Sequence, residues 1–253
     1  MRLKRTAIVA VLLASIIITG CTSQQKLAFK SIEGKSHSAV TPVPRNDERT
    51  ARWWNSRHEA VNERLKKGNV DLLYIGDSIT HGWENVGKDV WEKYYSPRNA
   101  VNMGFGGDRT QHVLWRLDHS NFENISPKLA ILMIGTNNSN GKDNTAEEIA
   151  DGIITICQRL RTQFPKMKIL MLAIFPRNPR PGAQREKNAE ASLLASRIAD
   201  GKMIHYLDIN EKFLTEEGEL TKKIMPDFLH PNKTGYTIWA EAIEPKVAEL
   251  MGE

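Results

Sequence analysis

The sequence predicts an α/β fold, with a five-stranded parallel sheet held between helical layers in a flavodoxin-like, three-layer arrangement. Three observations carry that expectation. Apolar runs of strand length alternate with segments of helical spacing from residue 50 onward. One of these runs, KLAILMIG at 128–135, is apolar without interruption, as a strand buried on both faces must be. Short polar motifs follow the strand candidates, and the carboxyl ends of strands are where parallel sheets bind ligands.

The elements follow in chain order. RTARWWNSRHEAVNERLKKG reads as a helix with Trp54, Ala60, Val61 and Leu65 on one face. The first strand is expected over Val70 to Ile75, a short helix over VWEKYY, and a second strand over Asn99 to Gly104. RTQHVLWRL forms the next helix, and Pro127 opens the buried third strand. TAEEIADGIITICQRLRTQF is strongly amphipathic, and Thr145 with Glu148 three residues later supplies a capping box. KILMLAIF is a strand, AQREKNAEASLLASRIADG a helix ending at Gly201, MIHYLDI the fifth strand, and Lys233 to Leu250 the last helix.

The amino terminus has a different character. MRLKR precedes about fourteen nearly all-apolar residues, too few to span a membrane comfortably, and the run ends in Ile18-Thr19-Gly20-Cys21. This reads as a signal peptide over 1–20 with a bacterial lipobox, so that lipid on Cys21 would anchor the chain to the membrane of the bacterial envelope. Loss of Arg2, Lys4 and Arg5 with that peptide lowers the net charge from +5 to +2. No Lys/Arg stripe with interleaved aromatics remains, so nucleic acid is not an expected partner. Residues 21–46 are polar and aperiodic and read as a tether of roughly 25 to 30 Å reach. Residues 47–253 then form the folded domain. Cys157, in a helical pattern, reads as a small buried hydrophobe.

Four segments carry chemistry: GDS at 76–78, GFGGD at 104–108, GTNN at 135–138 and PDFLHP at 226–231. A dinucleotide-binding G-x-G-x-x-G fails at Arg109, and the G-x-S-x-G elbow fails at Thr80. No spacing proposes a metal, and no cofactor is expected. Together the segments contain what acyl transfer requires. Ser78 can be the nucleophile, His230 the base, and Asp227 the group that orients the base. Gly107 offers a backbone N–H and Asn137 a side-chain amide for a developing oxyanion. Trp83, Phe105 and Phe175 lie just beyond strand ends and are candidates to line an acyl or sugar pocket, while Arg109 can touch substrate or pair with a neighbouring loop. Asp77 and Asp108 are expected to bond loop amides, and the loop FPRNPRPGAQR to face a hydroxylated leaving group or form a solvated turn.

These blocks resemble the SGNH hydrolases, also called GDSL esterases, with the four letters falling on Ser78, Gly107, Asn137 and His230. The resemblance implies that the Ser78 amide joins Gly107 and Asn137 in the oxyanion hole. Within the family, GFGGDRTQHVLWRL, GTNN, NTAEEIADGI and PDFLHPNKTGY are most similar to the catalytic subunits of intracellular platelet-activating factor acetylhydrolases. Those subunits dimerise, so the resemblance also implies a homodimer. The signal peptide and tether depart from these cytosolic proteins, and the substrate does not carry over. The favoured expectation is an esterase that removes short acyl groups, chiefly acetyl, from carbohydrate. A lipase, lysophospholipase or thioesterase acting on lipid is the alternative within the same chemistry, and an inactive glycan-binding envelope module the alternative outside it.

Overall fold

Alternation along the strands sorts the core into two halves. The computed structural model describes residues 23–253, and within it five strands form one all-parallel sheet in the order β2-β1-β3-β4-β5. They are β1 (Leu72–Gly76), β2 (Ala100–Gly104), β3 (Leu129–Met133), β4 (Lys168–Leu172) and β5 (Ile204–Leu207). Leu73, Ile75, Ala130, Leu132, Ile169 and Met171 face one side. There they meet α2 (Ala51–Lys66), α5 (Thr110–Asp118), α6 (Ala146–Gln163) and α7 (Ala183–Ser196); α1 (Ser23–Ile32) precedes α2, and α3 (Ser78–His81) and α4 (Lys88–Tyr94) lie between β1 and β2 in the chain. Leu72, Tyr74, Leu129, Ile131, Met133, Leu170 and Leu172 face the other side, against α4 and α8 (Lys233–Met251). Because every central strand buries both faces, their sequences are continuously apolar. The expected fold class is the observed one.

Local signals act where they were read. Thr145 Oγ1 accepts the Glu148 amide at 3.2 Å while Glu148 Oε2 accepts the Thr145 amide at 3.1 Å, closing the capping box at the start of α6. Cys157 is fully buried on that helix, and burial pushes its thiol up to about 12, so it packs as an unreactive hydrophobe.

The segment expected as a tether behaves differently. Cys21 and the leader lie outside the described residues, but Phe29, Ile32 and Ala39 are buried against the domain. Lys35 donates to both Asp151 carboxylate oxygens at 2.7 Å, and Ala39 O accepts from Thr110 Oγ1 at 2.7 Å. Val43 N donates to Gln111 O at 3.3 Å, and Arg45 Nη1 to Gly106 O at 2.8 Å. Residues 29–45 are therefore a strap across α5 and α6. Close approach is possible because Gly152 lacks a side chain: a Cβ there would sit 2.5 Å from Thr110 Oγ1 and 2.8 Å from Ala39 O. Periodicity gave no warning, since the strap is held by three scattered apolar side chains, the Lys35–Asp151 ion pair and bonds to backbone groups. Among the described residues, no helix is long and apolar enough to cross a membrane.

The strand order reverses at β1. The chain leaves β1 for β2 on one side and returns to β3 on the other, so the loops after β1 and β3 diverge and leave a crevice at their carboxyl ends. Ser78 follows β1 and Asn137 follows β3, which puts both at that crevice.

Candidate active site

β1 ends in Gly76, and Asp77 caps the one-turn helix α3 by accepting the Ile79 amide on Oδ1 at 2.9 Å. Ser78 is the first residue of that turn, so its own N–H has no intrahelical acceptor. Tyr236 of α8 fixes the turn from beneath, donating to Ile79 O at 2.7 Å. His230 reaches Ser78 from the loop before α8. Asn232 caps that helix, accepting from Gly235 N at 3.1 Å, and also anchors the loop by donating through its backbone N to Ile224 O at 2.9 Å and through Nδ2 to Lys223 O at 2.8 Å.

The three side chains form a continuous relay. Ser78 Oγ lies 2.9 Å from His230 Nε2, and His230 Nδ1 lies 2.6 Å from Asp227 Oδ2. The other Asp227 oxygen accepts the His230 and Leu229 amides at 2.8 and 3.1 Å, which fixes the carboxylate in the plane it needs. Burial pushes the Asp227 carboxyl up, but the His230 ring and these amides outweigh it and hold the group below the usual carboxylate range. An ionised Asp227 puts the His230 proton on Nδ1 and leaves Nε2 as the acceptor for the Ser78 hydroxyl.

The expected oxyanion donors stand on the loops after β2 and β3. Gly107 has φ +74°, the left-handed region, and no protein acceptor among the described residues takes its N–H. A Cβ at Gly107 would lie 2.3 Å from Arg45 Nη1, the flexible end of that side chain, so it is the left-handed backbone that disfavours a side chain here. Asn137 Nδ2 donates to Asp108 O at 2.9 Å, which ties the β3 loop to the Gly107 loop and leaves the amide a second hydrogen to offer. Its neighbour Asn138 is fully buried and bonds Thr110, Gln111 and Asn144. The side chain facing the cleft is thus that of Asn137.

Several expectations need correction. Trp83 and Phe105 are fully buried and Phe175 is 1% exposed, so none can line a pocket. Trp83 and Phe175 pack on Trp239 at ring-centroid distances of 4.8 Å each, and Phe105 lies under the Arg116 guanidinium at 3.9 Å. Asp108 bonds side chains through its carboxylate rather than loop amides. It accepts from Trp54 Nε1 at 2.7 Å and from Arg116 Nε at 2.8 Å, all three groups buried. In FPRNPRPGAQR, Arg177 holds Thr136 O and Asn140 Oδ1, and Arg185 holds the carbonyls of Arg177, Asn178 and Gly218. Those arginines are committed to loop structure. Arg109 makes the expected pair with a neighbouring loop, to Asp143 at 2.6 Å, and it also lines the cleft that contains Gly107 and Asn137.

Two features escaped the sequence. Trp53 stays 42% exposed while Trp54 beside it is buried, because one turn of α2 directs the two rings to different faces. Its indole lies 5.5 Å from the His81 ring and would be 3.6 Å from a Cβ at Gly106, at the rim of the site. The second feature is the stretch from Val43 to Asp47, the end of the strap and the residues just after it, which walls a cleft of about 570 Å³ beside Gly107 and Asn137.

Residues 74–238 match the GDSL-like lipase/acylhydrolase family. The chain belongs to this family. It is 35% identical over 222 residues to rat platelet-activating factor acetylhydrolase IB subunit alpha2, covering 87% of this chain and 95% of the relative. Among solved structures it is similar to a GDSL-like lipase from Bacteroides thetaiotaomicron, with TM-score 0.59, 20% identity, and coverage of 78% of this chain and 97% of the other. It is also similar to a carbohydrate acetylesterase from Sinorhizobium meliloti, with TM-score 0.57, 20% identity, and coverage of 72% and 100%. As a GDSL acylhydrolase, this chain is a serine hydrolase of carboxylic esters.

One buried group of this hydrolase gives a sharp pH expectation. Asp77 is fully buried with Oδ2 unpartnered, and burial raises its pKa to about 7. A raised carboxyl binds its proton more tightly folded than unfolded, so its contribution is complete below the unfolded value of 3.8 and is lost as pH rises through about 7. Asp77→Asn keeps the capping oxygen and removes the titration. Denaturant melts at pH 5 and pH 8 are expected to show the variant gaining about 2–3 kcal/mol on the parent between those pH values. A pH-independent difference between the two proteins would show that Asp77 is ionised throughout.

Proposed function

We propose that this esterase removes short acyl groups, acetyl first among them, from a carbohydrate. In this reading His230 Nε2 takes the Ser78 proton as Ser78 Oγ bonds the ester carbon. The amides of Ser78 and Gly107 and the Asn137 side chain receive the oxyanion. His230 then gives its proton to the departing sugar alkoxide, and a water activated by the same ring releases the acid and restores Ser78.

The observation that supports a carbohydrate most is the wall of the cleft beside the oxyanion donors. Arg45, Asn46, Asp47, Arg109, His112, Asn137 and Asn140 line it, hydrogen-bonding groups suited to a hydroxylated alcohol. The exposed Trp53 at the rim adds a flat apolar face of the kind on which a sugar ring stacks. With Trp83, Phe105 and Phe175 spent in the core, none of the aromatics past the strand ends builds an acyl tunnel. A second reading, cleavage of an acetyl ester on a phospholipid, is favoured by the 35% identity to a platelet-activating factor acetylhydrolase subunit. Both readings agree on a short acyl group and differ in the alcohol.

A series of p-nitrophenyl esters from acetyl to octanoyl, run beside acetylated oligosaccharides, tests the proposal. kcat/KM is expected to fall at least tenfold across the series, and acetate to be released from the glycans, since a longer acyl chain finds no tunnel to enter, gains no burial energy and crowds the ester carbonyl away from Ser78. Rising kcat/KM with chain length, with no acetate from any glycan, would transfer the assignment to lipid.

A further inference from the structure

The cleft beside the oxyanion donors has a charge pattern that a neutral sugar does not use. Arg45, from the strap, and Arg109, at the start of α5, face it from opposite sides of Gly107 in the chain, with side chains 20% and 33% exposed. Arg45 commits Nη1 to Gly106 O and Nε to Asp47, at 2.8 and 3.3 Å, and Arg109 commits Nη2 to Asp143 at 2.6 Å. A guanidinium carries five N–H donors, so each keeps donors in hand. Asp47, the acid in the cleft wall, is turned to the start of α2, where its carboxylate accepts from the Thr50 amide at 3.1 Å and from the Thr50 hydroxyl.

His112 reports the local field. Its Nδ1 accepts the Arg109 amide at 3.0 Å, which assigns the ring proton of the neutral form to Nε2. Burial, followed by the charges of Arg45, Arg109 and Arg116, lowers its pKa to about 3, with Asp47 opposing. The ring is neutral at working pH and adds a further donor rather than a charge. Two of the donors along this wall, Arg45 and Arg109, are cationic.

We propose that Arg45 and Arg109 form a subsite for an anionic oxyacid group, a carboxylate or a phosphate, on the alcohol half of the ester. This rests on the esterase reading and narrows its substrate to an acidic one. The subsite lies against Gly107 and Asn137, and in this proposal the alcohol half of the ester extends into it while the ester carbon is at Ser78. Arg45 belongs to the strap, so the segment that reads in sequence as a mere connection supplies half of the specificity.

The test holds the acyl group constant and varies the alcohol. Purified enzyme is given O-acetyl methyl glucoside, O-acetyl methyl glucuronoside and O-acetyl methyl glucoside phosphate, and kcat/KM is measured at low and high salt. One or both charged esters are expected to exceed the neutral one about tenfold or more at low salt, with the advantage shrinking as salt screens it. The arm with the larger advantage says whether carboxylate or phosphate is the group recognised. Arg45→Gln and Arg109→Gln are each expected to cut the charged-to-neutral ratio about fivefold, while Arg45→Lys, which keeps the charge, retains most of it. A native ratio of one or below, or a ratio that neither Gln variant changes, would overturn the subsite. The acyl-length series registers a failure of the esterase reading separately, because the charged-to-neutral ratio is taken at fixed acyl group.

Discussion

Ser78→Ala is expected to lower kcat for acetyl ester hydrolysis about 10⁶-fold while the protein keeps its fold. The magnitude follows from removing the nucleophile of a triad whose members act as a unit, which leaves only oxyanion stabilisation and binding. The fold survives because the Ser78 side chain takes no part in holding its own turn. Asp77 caps that turn through Ile79 N, Tyr236 holds Ile79 O, and the Ser78 hydroxyl bonds only His230. Unchanged thermal unfolding together with lost turnover is the paired result to look for. Activity within a hundredfold of the parent would remove Ser78 from the nucleophile's role.

Asp227→Asn is the second large effect, an expected loss of about 10⁴ in kcat with KM little altered. Asp227 spends one oxygen on the His230 and Leu229 amides and the other on His230 Nδ1 at 2.6 Å. An asparagine can keep the first set through its carbonyl, which turns its NH₂ toward Nδ1. That reverses the tautomer, places the ring proton on Nε2, and leaves nothing to accept the Ser78 proton. Because Asp227 is more than half exposed as a side chain, its replacement leaves no buried vacancy, and stability should change little. Steady-state kinetics with a single acetyl substrate, alongside a melting curve, distinguishes this electronic effect from unfolding. A loss below tenfold would mean that the Ser78–His230 pair works without an orienting acid.

The sequence shows the parts of this molecule that depend on local pattern. Strands buried on both faces must be continuously apolar, which is why KLAILMIG announces β3. That Ser78, Asp227, His230, Gly107 and Asn137 belong at one site could be read because acyl transfer needs a small, fixed set of groups, and the chain offers them in segments that follow strands. What stayed hidden depends on direction rather than identity. Trp83 and Phe105 follow strands that carry the chemistry, yet the chain turns their rings inward, one onto Trp239 and the other beneath the Arg116 guanidinium. Trp53 and Trp54 are identical and adjacent, and only the 100° step of a helix separates rim from core. The strap from Phe29 to Arg45 was read as a tether because its three buried side chains are too sparse for a period, and its remaining anchors are the Lys35–Asp151 pair and single hydrogen bonds to the GFGG loop and α5 that no composition reveals.

The central claim is that Ser78 is made nucleophilic by His230 and Asp227 at the crevice between β1 and β3. Labelling with a fluorophosphonate, followed by peptide mapping, tests it most directly, since the reagent bonds only a serine whose proton is taken by a neighbouring base. The account predicts one adduct, on Ser78, formed rapidly in the parent, much more slowly in Asp227→Asn, and absent in Ser78→Ala. An unlabelled parent protein, or an adduct on any other serine, would contradict it.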